Sequence, residues 1–92
     1  MEKTVVTVRW AEGLDMLPAS RLVRLARTFR SEIRLRLGSK IAEASNVLSI
    51  LLLCAALNSA VEIEATGTDE KDAVEAIQSF FDSSPDGQIS LR

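Results

Sequence analysis

The residues with the clearest chemical potential lie in the segment 13–20, where an acidic side chain precedes a proline by three positions. Proline is tolerated in the first turn of a helix, because the N–H that it lacks would have no intrahelical partner there. Pro18 therefore predicts a helix start, with residues 15–17 at or just before the cap. The free N–H groups and positive dipole end of that helix would face Asp15, and such an arrangement binds anions.

Few side chains are available to do chemistry around that turn. The chain contains no histidine, which excludes phosphohistidine and removes the commonest general base and metal ligand. Only Glu12 lies close to Asp15 in sequence, and the turn has no lysine, although phosphorylated aspartates are usually surrounded by several carboxylates, a lysine and Mg²⁺. We expect neither a metal nor a cofactor.

Size and composition narrow the class of protein. The 92 residues suffice for one domain, and a net charge of −2 gives no general attraction to nucleic acid or to an anionic membrane. No signal peptide is apparent, and the longest apolar stretch, residues 50–57, is too short to span a bilayer. The single cysteine, Cys54, cannot form an internal disulfide. We expect a cytoplasmic protein whose partner is another protein.

Hydrophobic periodicity gives the elements that position the turn. Alternating residues predict strands over 4–10, 32–37, 40–44 and 61–65, and helical spacing predicts helices from Pro18, over 47–53 and after Asp69. Each strand has one apolar face, which indicates an α+β open-faced sandwich: a four-stranded antiparallel sheet with three helices on one face, in the order β-α-β-β-α-β-α. We expect residues 1–92 to form a single domain with 88–92 as a loose tail after a turn at Asp86 and Gly87. The predicted core comprises Val6, Val8, Leu22, Ala26, Phe29, Ile33, Leu35, Val61, Ile63, Val74, Ile77 and Phe81.

Turns and caps supply further expectations. Gly13 is predicted to be a flexible point before the first helix, Asn46 or Ser45 to cap the second helix, and Thr68 or Asp69 to cap the third. Opposite charges on the outer face of the predicted sheet also suggest ion pairs of at most about 1 kcal/mol each. They would join Arg34 and Arg36 to Glu62 and Glu64.

Two surface features each admit two interpretations. Arginines at positions 21, 24, 27 and 30 recur every three residues, either as a solvated face or as a patch for an acidic partner. The helix over 47–53 is apolar on almost every side. It is either fully buried in the core or partly exposed as a contact surface.

The turn and the element order resemble those of the HPr family, the histidine phosphocarriers of the bacterial phosphoenolpyruvate:sugar phosphotransferase system. Gly13, Leu14 and the Pro18-Ala19-Ser20 triplet match the family loop Gly-[Ile/Leu]-His-x-Arg-Pro-Ala-[Thr/Ser], and Gly67-Thr68-Asp69-Glu70 matches the start of its last helix. The resemblance runs from about residue 2 to 83. Asp15 stands where the family has its phosphorylated histidine, and Leu17 where it has an arginine. The family's regulatory serine position corresponds to Asn46, with Ser45 beside it.

The resemblance also implies a partner-binding surface formed by the first two helices. Its positions here are Ser20, Arg21, Arg24, Val47, Leu48 and Leu51. The resemblance thus implies a phosphotransferase-related binding or regulatory module, not an enzyme in the strict sense, that has kept its docking surface and lost its reactive centre. Asp15 would either cap the helix or imitate the phosphorylated state with a fixed charge. The alternatives are a phosphoryl carrier that uses Asp15, and an interaction domain for an unrelated partner or a homodimer through Leu48, Leu51 and Leu52.

Overall fold

The computed structural model describes residues 1–83, which form four strands and three helices. The strands are β1 (Glu2–Thr7), β2 (Glu32–Leu37), β3 (Lys40–Glu43) and β4 (Ala60–Thr66), and the helices are α1 (Met16–Ala26), α2 (Val47–Leu53) and α3 (Glu70–Asp82). The predicted element order is confirmed. The predicted turn at Asp86 and Gly87 and the tail at 88–92 lie outside the described residues.

The sheet has the strand order β1-β4-β2-β3, with antiparallel pairing between all neighbours. Its register aligns Val6 with Val61, and Leu35 with both Ile63 and Ala42, so that one face of the sheet is apolar throughout. The helices cover that face, which confirms the open-faced sandwich. Among residues 1–83 no helix is long and apolar enough to cross a membrane.

The core lies between the apolar sheet face and the three helices. Every residue of the predicted core is buried except Phe29, which is half-buried because α1 ends at Ala26 and Phe29 lies in the following turn. Trp10 also belongs to the core, with its ring centroid 5.4 Å from that of Phe80 and 5.3 Å from that of Phe81. Tilted aromatic contacts at these separations are favourable.

Charged side chains on the outer sheet face form ion pairs with one another, and some of these pairs were predicted. Arg36 lies 3.4 Å from the Glu62 carboxylate and 3.2 Å from that of Glu64, whereas Arg34 pairs at 2.9 Å with Glu32 on its own strand. Lys3 and Arg36 both contact Glu64, which is therefore only 8% exposed on a face predicted to be solvated. Most charges on this face are satisfied within the molecule.

The prediction that Asp69 caps α3 is right in position, because Asp69 is the N-cap residue, and wrong in the hydrogen bond expected of its side chain. Asp69 occupies the residue before α3, but its carboxylate makes no capping hydrogen bond to that helix. It accepts instead from the Ser31 hydroxyl at 2.6 Å and from the backbone N–H groups of Ser31 and Arg30 at 2.9 Å. These bonds, that from the Ser31 hydroxyl first, lower the pKa of Asp69 and tie the start of α3 to the start of β2.

Several element boundaries differ from the sequence prediction by one to three residues, and two of these differences lie beside the predicted turn. Strand β1 ends at Thr7 and not at Trp10, although Val8 still accepts from Asn58 N–H at 2.8 Å and donates to the Ser59 carbonyl at 2.9 Å. Helix α1 begins at Met16, two residues before Pro18. Pro18 is thus the third helical residue, still within the first turn where its missing N–H costs no intrahelical bond.

Candidate anion and partner-binding site

Asp15 is the residue before α1 and caps it with its own side chain. Its backbone is extended, and one carboxylate oxygen, Oδ1, accepts from the Met16 N–H at 2.7 Å while its carbonyl accepts from Ala19 N–H at 2.8 Å. A carboxylate here satisfies an otherwise free N–H and interacts favourably with the positive end of the helix. The backbone thus places a negative charge at the point where the sequence predicted an anion-binding turn.

The turn is fixed by the segment that follows α2. Leu14 N–H donates to the Ala55 carbonyl at 2.8 Å, and a Cβ on Gly13 would lie 2.5 Å from that same oxygen. Gly13 has a φ of +76° and is buried. It is therefore a position of close backbone approach and not the flexible point predicted, because only glycine fits both the conformation and the space.

A cavity of about 430 Å³ opens beside Asp15. Its wall includes the charged residues Arg9 and Glu12 together with Trp10, Leu17 and Pro18. Leu17 is 62% exposed, so an apolar side chain occupies the surface at the position to which the family resemblance assigns an arginine. Within residues 1–83 no group of three or more His, Cys, Asp or Glu side chains could hold a metal ion.

Trp10 contributes an unsatisfied donor at the base of this region. The residue is 6% exposed, and its indole Nε1 has no hydrogen-bond partner in the described part of the chain. A buried unpaired donor costs roughly 1–3 kcal/mol. Neither this feature nor the Ala55 contact was indicated by the sequence, because both depend on which backbone segments meet in space.

Helices α1 and α2 lie side by side and run in opposite directions. Arg27, just after α1, donates to the Ser45 carbonyl before α2 at 2.9 Å, while Leu14 before α1 bonds to Ala55 after α2. The six positions assigned by resemblance therefore sit on two neighbouring helices. We call them the α1–α2 surface: Ser20, Arg21, Arg24, Val47, Leu48 and Leu51.

The apolar residues of α2 divide between core and solvent. Ile50 and Leu53 are buried, Val47 and Leu51 are half-buried, and Leu48 is 64% exposed. Leu52 is 66% exposed and lines a cavity together with Lys40 and Ile41 of β3. Helix α2 is thus not a fully buried core helix, and it presents apolar area to solvent beside the arginines.

The arginines on this side of the molecule differ from those on the sheet. Arg21 and Arg24 project from α1 and are exposed, as are Arg27 and Arg30 beyond its end. None of the four lies within ion-pair distance of a carboxylate among residues 1–83, whereas Arg34 and Arg36 are both paired. The charges of these four arginines therefore remain available to another molecule, although Arg27 also donates to the Ser45 carbonyl.

The position of the family's regulatory serine is occupied by a capping residue. Asn46 caps α2, its Oδ1 accepting from Ser49 N–H at 3.1 Å, as one of the two predicted candidates. The other candidate, Ser45, is exposed, and its carbonyl binds Arg27. Asparagine caps helices about as well as serine, so the helix start is retained without a hydroxyl at that position.

The four-stranded antiparallel sheet with three helices on one face, and with a capped turn at the start of α1, defines the class of small open-faced α+β sandwich domains. A family model described as the "PTS HPr component phosphorylation site" matches residues 2–83. The chain is 37% identical over 79 residues to the phosphocarrier protein NPr of Proteus mirabilis, covering 85% of this chain and 88% of that protein.

Solved structures agree with the sequence match. HPr from Bacillus anthracis superposes with a TM-score of 0.83 at 26% identity, covering 87% of this chain and 95% of that one. Crh of Bacillus subtilis, described as a catabolite repression protein in a swapped, intertwined dimer, gives a TM-score of 0.73 at 28% identity, with 89% and 94% covered. The chain belongs to the HPr family.

Proposed function

We propose that this HPr-family protein works as a binding or regulatory module of the phosphotransferase type and does not relay phosphohistidine. The observation that carries the proposal is Asp15 at the helix cap where the family has its phosphorylated histidine. The partner would be a protein of the phosphotransferase system, or a transport or regulatory protein, met in the cytoplasm through the α1–α2 surface. No cofactor is required.

The exposed leucine and the unpaired arginines of the α1–α2 surface support a role in binding another protein. Exposed Leu48 lies on the helix beside α1, whose Arg21 and Arg24 have no carboxylate partner within residues 1–83. Apolar anchors flanked by unpaired charge are typical of surfaces that bind other proteins. An exposed apolar side chain without a partner risks nonspecific association, so the presence of Leu48 on this surface favours a docking role.

The surroundings of Asp15 argue against the carrier alternative. An acyl phosphate on Asp15 would need its charge held by a cation or a metal, but Leu17 stands at the arginine position and no lysine lies in the turn. Arg9 lines the same cavity, but the ion pairs among residues 1–83 do not join it to Asp15. One oxygen of Asp15 is already committed to Met16 N–H. The carboxylate is better suited to remain as a fixed negative charge that caps the helix and presents its second oxygen to a partner.

Intact mass measurement tests the loss of phosphoryl transfer. Incubation with phosphoenolpyruvate and the first enzyme of the phosphotransferase system should leave the mass of the protein unchanged. A gain of one phosphate that is abolished by Asp15→Asn would overturn the proposal in favour of the carrier alternative.

Binding measurements test the docking role. Titration with the same first enzyme, monitored by calorimetry, should show binding that Leu48→Asp weakens at least about tenfold, as expected for an interface anchor. Val5→Asp is the matched control, since Val5 is 62% exposed on the opposite face of the sheet and should leave affinity unchanged. Equal effects of the two substitutions, or no binding, would place the partner outside the phosphotransferase system or the interface elsewhere.

One further substitution separates the two roles of Asp15. Asparagine caps helices as well as aspartate, so Asp15→Asn keeps the hydrogen bond to Met16 N–H and removes only the charge. If the charge is recognised by the partner, affinity falls while the unfolding midpoint stays nearly constant. Unchanged affinity would assign Asp15 to helix capping alone.

A further inference from the structure

A second cavity, of about 380 Å³, lies between α2 and β3, the strand at one edge of the sheet. Its apolar wall consists of buried Leu53 together with Ile41 and Leu52, which are 52% and 66% exposed. Lys40 and Ser49 complete the lining. We call this cavity the α2–β3 groove. It shares no residue with the α1–α2 surface.

The outer edge of β3 is only partly covered by the rest of the molecule. Ala44 N–H donates to the Ile33 carbonyl at 2.9 Å, so its backbone faces β2. Glu43 faces the other way, because backbone direction alternates along an antiparallel strand. Its N–H donates to Ser49 Oγ at 2.9 Å and its carbonyl accepts from Asn46 N–H at 3.1 Å, so α2 and its cap satisfy both groups.

Ile41 lies two residues before Glu43 and therefore also directs its backbone groups to the outer edge. Among residues 1–83 no hydrogen bond from α2 reaches the N–H or the carbonyl of Ile41. An edge residue of this kind offers one donor and one acceptor to an added strand. The α2–β3 groove thus has an open backbone position beside its apolar wall.

Both polar side chains of the groove have donors to offer. Lys40 is exposed and has no carboxylate within ion-pair distance among residues 1–83. Ser49 Oγ accepts from Glu43 N–H, and in the same part of the chain its own O–H has no acceptor. A cation and a hydroxyl donor beside aliphatic side chains are complementary to a carboxylate that is carried next to an aliphatic group.

We propose that the α2–β3 groove binds an extended segment of another protein, in which one residue separates an acidic residue from an aliphatic one. The segment pairs with Ile41 as a fifth strand of the sheet. Lys40 lies on the helix-covered face of β3 and Ile41 on its outer face. Side chains two positions apart share a face, so the acidic and aliphatic side chains both point toward α2. The carboxylate then meets Lys40, with the Ser49 hydroxyl as a second donor, and the aliphatic side chain covers Leu52 and Leu53.

A titration of the isotope-labelled full chain with short peptides, followed by nuclear magnetic resonance, tests this binding. The probe is the peptide Thr-Glu-Val-Leu-Thr with both ends blocked, added up to about 2 mM to detect weak affinity. It should shift the amide signals of Ile41, Ser49 and Leu52. A counterpart with lysine in place of glutamate should bind at least about tenfold more weakly, because it brings a like charge to Lys40.

A third peptide tests the added strand. Methylation of its valine nitrogen keeps every side chain of the probe and removes the N–H that would donate to the Ile41 carbonyl. This peptide should also bind at least about tenfold more weakly than the probe, because the methyl group obstructs strand pairing as well.

Variants of the chain test the wall of the groove. Leu52→Ser should weaken binding of the probe at least about tenfold, as expected for an apolar anchor. Leu48→Ser is the matched control, because Leu48 is 64% exposed on the same helix but does not line the groove. Lys40→Glu should reverse the preference in favour of the lysine peptide, a gain that misfolding cannot produce. Lys71→Glu, exposed on α3, is the charge-reversal control and should leave the preference as it is.

Several results would overturn the proposal. They are the absence of shifts in the groove, equal affinity for the acidic and lysine peptides, undiminished binding of the methylated peptide, and equal losses from Leu52→Ser and Leu48→Ser. A dimer of the free protein that Leu52→Ser dissociates would also overturn it, by making a second copy the occupant. The proposed function is tested separately, since Leu52→Ser should leave the titration with the first enzyme unchanged.

Discussion

Gly13 is the residue on which the geometry of the Asp15 turn depends most directly. Its φ is +76°, and an added Cβ would lie 2.5 Å from the Ala55 carbonyl oxygen that accepts from Leu14 N–H. We expect Gly13→Ala to lower the free energy of unfolding by about 2–4 kcal/mol, because it combines backbone strain with a backbone collision. Urea denaturation followed by Trp10 fluorescence measures the loss.

Gly38 provides the control for that substitution. Its φ is +62°, but nothing lies within 4 Å of an added Cβ. Gly38→Ala should therefore cost only about 1–2 kcal/mol, the penalty of the left-handed conformation itself. Equal losses at the two glycines would mean that the contact with Ala55 does not constrain the turn.

The phosphoryl-acceptor chemistry of the turn can be tested by restoring the two missing side chains. Asp15→His with Leu17→Arg should give some phosphoryl acceptance from the first enzyme, because α1 still offers its N-terminus to an anion and Pro18 still occupies its first turn. Asp15→His alone should accept less, since Leu17 leaves the phosphate without the arginine that the family has two residues after its histidine. The rate of mass gain compares the two variants. A folded double variant that takes no phosphate would show that the docking surface has diverged as well.

For single residues, the sequence predicted local roles in turns and caps better than contacts between distant segments. The helix start near Pro18 and the cap at Asp15 could be predicted, because both depend only on residues within one turn of chain. The lack of phosphohistidine chemistry follows directly from the absence of histidine. The close approach of Gly13 to Ala55 and the capture of Asp69 by Ser31 could not, since they join segments roughly forty residues apart. Local chemistry does not report which distant backbone will supply a partner.

Among the elements, α2 best shows what periodicity leaves undecided. Its sequence is apolar on nearly every side, so no hydrophobic stripe distinguishes core from surface. The structure resolves this through packing: Ile50 and Leu53 face inward, and Leu48 and Leu52 face solvent. The buried face of each strand could be predicted because alternation assigns each residue to one face. The buried face of α2 could not, because its apolar residues do not form a single stripe.

Alanine substitutions on α2 test this division. Ile50→Ala should cost about 2–5 kcal/mol of unfolding free energy, as expected for a fully buried aliphatic side chain. Leu48→Ala should stay within about 0.5 kcal/mol, because its side chain is mostly in solvent. Chemical denaturation measures both. A large loss at Leu48 would contradict its assignment as a contact residue available to a partner.

The whole molecule carries its charge unevenly. On the sheet side Arg36 bridges Glu62 and Glu64, so this face is largely self-neutralised, while the arginines of α1 remain unpaired within residues 1–83. Surface ion pairs contribute little to stability, but unpaired charge steers association. The overall fold could be predicted from the sequence because it depends on hydrophobic pattern. The pairs of Arg36 with Glu62 and Glu64 were also expected, whereas the pairing of Arg34 with Glu32 on its own strand was not, because it depends on side-chain conformation.

Asp69 links the stability of the whole fold to pH. Hydrogen bonds from the Ser31 hydroxyl, Arg30 N–H and Ser31 N–H lower its pKa in the folded protein below the ordinary value of 3.8. A carboxyl group with a depressed folded pKa stabilises the protein at pH values above its unfolded pKa, and this contribution is lost as pH falls through the folded pKa. We therefore expect the unfolding midpoint to fall as pH drops below about 4, partly because of Asp69.

Asp69→Asn should lower the midpoint at pH 7 and flatten its dependence on pH in the acid range, since the amide cannot titrate. Glu75→Gln, exposed in the middle of α3, is the control that should preserve the slope. Thermal melts by circular dichroism at a series of pH values measure the three curves. If the curve of Asp69→Asn runs parallel to that of the native chain, the connection between α3 and β2 does not depend on the charge of Asp69.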